Sequence, residues 1–180
     1  DIERIKAIYA AVNERALIRL DANQGWTPKQ TVTVLRALEN SGVQLELLEQ
    51  PVRGDDIEGM KYVTERIDTP VMADESSFGP KEAIEIIRTR AADIINIKLM
   101  KTGGISNAIK IADIAGIYGV SCMIGCMLES SISVAAAAHI AVAKYDPVTS
   151  GVLFNNSEIK ITDLPGLGIS KIDNLTLLDV

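Results

Sequence analysis

Short apolar runs that end in a charged residue recur along this chain at a nearly fixed interval, and no other feature constrains its fold as strongly. The charged ends Asp21, Glu49, Asp74 and Lys98 fall 28, 25 and 24 residues apart. Such an interval holds one strand, one helix and their turns, so the spacing predicts successive βα units around a parallel sheet. Predicted strands cover 17–21 (LIRLD), 45–49 (LELLE), 71–74 (VMAD), 94–98 (IINIK) and 121–126 (SCMIGC). Amphipathic patterns fill the gaps near 28–41, 56–67, 80–91, 105–118 and 130–143, with Pro80 at a first helical turn and Gly42 just past a helix end. A further helix opens the chain in DIERIKAIYAAVNER, where Ile2, Ile5, Ile8, Tyr9 and Val12 share one face.

Repeats of this size with almost continuously apolar strands suit an α/β fold of the (β/α)8 barrel type, whose sites gather at the C-terminal strand ends. A doubly wound open sheet competes with it, but usually carries a G-x-G-x-x-G turn that this sequence lacks. Five strands cannot close an eight-stranded barrel without open edges, so an incomplete barrel is expected, part of a longer protein. Two regions are expected: a partial (β/α) barrel over 1–144 and a C-terminal segment over 145–180. In the second, YDPVTSGVLFNN (145–156) is turn-rich where another strand and helix are due. Beyond it, Ile159/Ile161 and Leu175/Leu177 alternate around Pro165-Gly166-Leu167-Gly168, as strands outside the barrel would.

Composition narrows the function. With 180 residues the chain carries one sizeable core without disulfides, against a soft prior of roughly 150 residues per domain. Its 18 basic and 24 acidic residues give a net charge of −6, scattered rather than clustered, so nucleic acid is not an expected partner. The longest nearly uncharged stretch, 130–143, falls short of the ~20 residues that span a bilayer, and no membrane association is expected. Two cysteines, Cys122 and Cys126, are too few for a secreted disulfide framework and point to a reducing cytoplasm.

The chemistry sits at the strand ends. Asp21, Glu49 and Asp74 close three successive predicted strands, and together they can surround one cation with hard oxygen ligands that match Mg²⁺. A single acid after a strand ordinarily caps a helix or faces solvent, but three in succession are hard to ascribe to capping, since Pro28 and Pro80 start helices several residues later. Lys98 ends the next strand with Asn96 on the same face. Burial beside a cation should lower its pKa toward that of a general base. A lysine snorkelling from the rim is the plainer reading, and a Schiff-base lysine would leave the three acids without a role.

Other residues carry weaker signals. Lys101 is expected to be solvent-exposed, with a place in the substrate site as the alternative. Gly103-Gly104 suits an anion at a helix start or merely a turn needing positive φ. Glu129, in CMLES, belongs either to the catalytic face or to a helix start, where the dipole favours an acid. His139 lies on an apolar helix and reads as a core or interface residue; Cys122 and Cys126 read as reduced core residues. Trp26 either covers the site or packs its own loop.

Taken in order, LDANQGW, LLEQPV, MADES, INIKLMKTGG, GCMLES and PGLG resemble the enolase superfamily, in its muconate-lactonizing-enzyme subgroup, and within it dipeptide epimerases of the L-Ala-D/L-Glu type. The resemblance implies a modified TIM barrel of which about strands three to seven are present, with the C-terminal segment packing on an N-terminal α+β capping domain. It also implies 1,1-proton transfer at the α-carbon of a dipeptide's C-terminal residue, through an enediolate stabilised by Mg²⁺. By position it makes Asp21, Glu49 and Asp74 metal ligands and Lys98 the acid/base on one face of that carbon. Asn96, Glu129 and Lys101 fall in the substrate site, and association into homo-oligomers is common among such barrels. The family's second lysine, in a K-x-K motif, and the Asp-x-Asp pair that binds the dipeptide's ammonium do not occur in this sequence: Lys6 lies on the opening helix and Asp146 stands without its partner. Rival readings are an o-succinylbenzoate synthase, an N-acylamino acid racemase or a muconate cycloisomerase, which share the metal triad and the lysine. From another class comes a non-catalytic metal-binding barrel fragment.

Overall fold

The computed structural model of the chain describes residues 1–13 and 15–144. The C-terminal segment expected over 145–180, with Asp146 and the Pro165–Gly168 turn, lies outside the described residues.

Five parallel strands alternate with helices: β1 (Arg19–Asp21), β2 (Leu47–Glu49), β3 (Val71–Ala73), β4 (Ile94–Lys98) and β5 (Ser121–Gly125). They form one sheet in the order β1-β2-β3-β4-β5. Each strand lies beside its predecessor with no reversal of direction of growth, which is how a barrel winds and how a doubly wound sheet does not. The helices are α1 (Ile2–Val12), α2 (Pro28–Asn40), α3 (Ile57–Thr64), α4 (Pro80–Thr89), α5 (Leu99–Thr102), α6 (Ile105–Ile117) and α7 (Ser131–Lys144). All the elements predicted within 1–144 are present, most with slightly shorter bounds; the one-turn α5 is an addition.

Local chemistry explains the helix starts. Thr27 and Gln30 form a capping box at α2, with Pro28 in the first turn, and the Asp56 carboxylate accepts from Gly59 N at 2.8 Å to cap α3. Helix faces then bury at helical spacing: Val32, Leu35 and Leu38 from α2, Ala83 and Ile86 from α4, Ala108, Ile111 and Ala115 from α6. All but Leu38 pack on one face of the sheet, made by Leu48, Val71, Ala73, Ile95 and Ile97. Strand alternation sends Glu49, Met72, Asn96 and Lys98 to the other, concave face. α1 adds a satellite cluster of Ile5, Leu38 and Val43, with Ile2 and Tyr9 against it. Ile8, expected on that buried face, is instead 48% exposed.

Candidate active site

The register brings the charged ends together. Asp21 and Glu49 are direct partners across β1 and β2, Glu49 pairs with Met72, and Asp74 follows on the same face as Met72. None of these acids caps a helix, because Thr27, Asp56 and Gly79 occupy the N-cap positions that follow the three strands. The capping reading therefore fails for all three.

Each carboxylate has its own support. Exposed Asp21 accepts from Asn23 N at 2.8 Å and from Asn23 Nδ2 at 2.9 Å. Glu49 Oε1 accepts from Asn96 Nδ2 at 2.8 Å. Asp74 Oδ2 accepts from Lys98 Nζ at 2.5 Å, and its Oδ1 from Lys101 Nζ. Lys101 also donates to the backbone oxygens of Asp74 at 2.6 Å and Asn96 at 3.2 Å. Its side chain is only 5% exposed, so the expectation of a solvent-facing lysine is corrected: the turn made by α5 folds Lys101 back under the site.

Electrostatics follow from this packing. Burial raises the Glu49 pKa, as do neighbouring Asp21 and Asp74, and these together outweigh the Asn96 hydrogen bond and Lys98. For Lys101 burial dominates and lowers the pKa despite the Asp74 contact. For Lys98, burial pulls downward, but the Asp74 hydrogen bond and the charges of Asp74, Glu49 and Glu75 pull harder, and the pKa is raised. The downward shift expected for Lys98 is thus reversed in this arrangement, in which Asp74 faces the ammonium.

The donor set is the right chemistry for a hard cation. Among the described residues, no three Asp, Glu, His or Cys side chains are grouped so that they could hold a metal ion as they stand; both Asp74 oxygens are turned onto lysines. Yet the three carboxylates are close enough for Asp21 and Asp74 to raise the Glu49 pKa, and buried Glu75 Oε2 and Asn96 Oδ1 lack hydrogen-bond partners. Surplus oxygen acceptors and a carboxylate short of positive charge fit Mg²⁺, with the two ammonium groups supplying the charge on Asp74 here.

Remaining candidates sort by position. Glu129, half-buried, accepts from Met127 N at 3.0 Å and contacts Ser133 Oγ on α7, an anchoring role at a helix start. Burial pulls its pKa up, but these hydrogen bonds and Lys98 hold it below the ordinary value. Gly103 (φ 71°) and Gly104 (φ 114°) make the turn between α5 and α6 in a backbone region that favours glycine. Trp26 packs against the main core and donates from Nε1 to Asp1 Oδ2 at 3.2 Å, at the start of α1. His139, Cys122 and Cys126 are half-buried; Cys122 packs against the main core, and neither cysteine is in a disulfide. No helix among the described residues is long and apolar enough to cross a membrane.

One residue escaped sequence reasoning. Gln50 is fully buried at φ 31°, and its amide holds the loop that follows β3. The only signal was its place between the acid and a proline in LLEQPV, where a polar residue reads as ordinary loop.

The chain has counterparts among known proteins. An L-Ala-D/L-Glu epimerase of Clostridium acetobutylicum is 48% identical over 189 residues, covering 97% of this chain and 53% of that protein. The substrate-liganded structure of the L-Ala-D/L-Glu epimerase from Bacillus subtilis superposes with a TM-score of 0.79 at 53% identity, over 81% of this chain and 41% of that one. A dipeptide epimerase of Enterococcus faecalis, complexed with Mg and the dipeptide L-Leu-L-Tyr, gives a TM-score of 0.76 at 51% identity, over 79% of this chain and 40% of that one. The chain spans about half the length of the curated relatives it matches. A family model described as enolase C-terminal domain-like matches residues 1–173, and with a barrel-type sheet carrying the charged ends of its strands on one face, the chain belongs to that family.

Proposed function

We propose that the protein carrying this chain is a Mg²⁺-dependent dipeptide epimerase, transferring a proton at the α-carbon of the C-terminal residue of a dipeptide. The observation that supports it most is the convergence of Asp21, Glu49, Asp74 and Lys98 on one face at consecutive strand ends, in a chain about half identical to dipeptide epimerases. Asp21, Glu49 and Asp74 would hold the cation, whose contribution when bound is positive charge beside the substrate carboxylate, which makes the adjacent α-proton more acidic. Lys98 takes or returns that proton at Nζ. To accept it the amine must be neutral, and in this arrangement the Asp74 carboxylate favours the ammonium form. Charge on Asp74 that is shared with a cation is withdrawn from Lys98, and burial then lowers its pKa. Inversion requires a second base on the opposite face of the α-carbon, and the three carboxylates and Lys98 do not supply one. Asn96 orients Glu49, while Lys101 and Glu129 border the substrate site.

The test is α-deuterium incorporation into a small L,L-dipeptide library in D₂O with Mg²⁺, followed by mass spectrometry on the intact protein and its Lys98→Ala variant. Exchange in the wild type that is lost in the variant is expected. Exchange confined to N-acylamino acids, with none on any dipeptide, would replace the dipeptide assignment by a racemase one.

A further inference from the structure

The three acid-bearing loops are joined to one another in sequence order. From the loop after β1, Ala22 N donates to Glu49 O at 3.1 Å, Gln24 N to Gln50 O at 2.8 Å and Trp26 N to Pro51 O at 3.0 Å. Gln24 Oε1 in turn accepts from Gly54 N at 2.9 Å. From the loop after β2, Gln50 reaches forward into the loop after β3. Its Oε1 accepts from Asp74 N at 2.8 Å and Ser76 N at 3.1 Å; its Nε2 donates to Ser76 Oγ at 2.9 Å and Val52 O at 3.0 Å. The amide's two donor hydrogens and two acceptor positions are all used. Gly54 closes the contact: a Cβ there would meet Glu75 O at 2.7 Å, so the two loops touch backbone to backbone.

Gln50 carries a cost that core packing alone does not explain. Its φ of 31° is a left-handed conformation that side chains disfavour, taken directly before Pro51, and its primary amide is completely withdrawn from water. A leucine would fill the same space without needing four partners. What the amide achieves is specific: it is the covalent neighbour of Glu49 and grips the backbone N–H of Asp74.

We propose that Gln50 is a positioning residue, whose side-chain amide fixes the Asp74 backbone relative to Glu49 and thereby sets the spacing of the two carboxylates. The proposal rests on the reading of those carboxylates as cation ligands. Gln50 itself touches no substrate; it acts through Asp74 and Ser76.

The test uses the intact protein with Gln50→Met, which keeps the length and gives up the amide's hydrogen bonds, and Mn²⁺ as a paramagnetic stand-in whose affinity is titrated by electron paramagnetic resonance. Loss of partners that orient metal ligands typically weakens affinity roughly 10–100-fold, and that is the expected change. In the metal-free protein, amide hydrogen exchange over 74–77 should accelerate while α6 stays protected. Leu35→Ala, which truncates a fully buried side chain of α2 away from the site, should lower the Tm and leave both readouts as in the wild type. If Gln50→Met does not fold, Ser76→Ala removes one partner of Nε2 and should shift both readouts in the same direction by less. Equal Mn²⁺ affinity in wild type and variant, or unchanged exchange over 74–77, overturns the proposal. A wild type that binds no Mn²⁺ overturns the ligand reading instead, and the exchange data still decide whether Gln50 holds the loop.

Discussion

Glu49 is the residue at which folding and function pull in opposite directions. Its pKa is raised from the ordinary 4.5 by burial and by Asp21 and Asp74. The folded state therefore binds its proton more tightly than the unfolded state, and the resulting stabilisation is complete below the ordinary value and is lost as pH climbs through the folded pKa. At neutral pH the metal-free protein carries that loss. Glu49→Gln, which keeps the acceptor for Asn96, should raise the Tm of the metal-free protein at pH 7, with the gain vanishing as the pH falls to about 4, near ordinary carboxylate values. The same variant should bind Mn²⁺ more weakly. Thermal melts across pH with and without added metal check both, and a Tm gain that is independent of pH would contradict the electrostatic account. At this scale the sequence is legible where a residue type is out of place: an acid at the end of an apolar run stands out, and so Asp21, Glu49, Asp74 and Lys98 do. Lys101 does not, because its burial depends on α5 folding it under Asp74, which no local pattern encodes. Gln50 is hidden for a related reason, since its partners lie 24 and 26 residues further along the chain.

Helix starts are written locally and so were readable. Thr27, Pro28 and Gln30 specify the beginning of α2 with side chains three residues apart, whatever the rest of the molecule does. Thr27→Ala should therefore cost about 1 kcal/mol, read as a lower Tm or denaturant midpoint, with helix content otherwise kept. No change in stability would mean that packing of Val32, Leu35 and Leu38 alone holds the helix start. Strand ends are less readable, and Asp74 shows why. The pattern places it in the strand, yet β3 stops at Ala73, because the Asp74 N–H leaves the ladder for the Gln50 side chain. The last residue of the apolar run is thus given up by the sheet to the site. Length explains the other omission: α5 is four residues, too short for any helical period to register.

At the scale of the whole molecule, strand order is the informative quantity. Even spacing of βα units suggests a barrel, but only the order β1-β2-β3-β4-β5 removes the doubly wound alternative. Among the described residues β1 and β5 each have one side unpaired, while Leu17 is 77% exposed, Ile117 80% and Leu128 fully exposed. Arg19 Nη1 reaches Met123 Sδ at 3.4 Å, a contact between the two edge strands. Unpaired parallel edges with apolar neighbours invite pairing between molecules, and a net charge of −6 opposes it only weakly. This stretch expressed alone should self-associate at micromolar concentration by light scattering, and a stable monomer there would show that the edges are protected. The hand-to-hand linking of the three loops also bears on synthesis. Each acid lies within a few tens of residues of the loop that braces it or is braced by it, so every contact that spaces the carboxylates is short in sequence. A nascent chain that has emerged as far as Ser76 already contains all three acids and both partners of every hydrogen bond that ties their loops together, before Lys98 emerges.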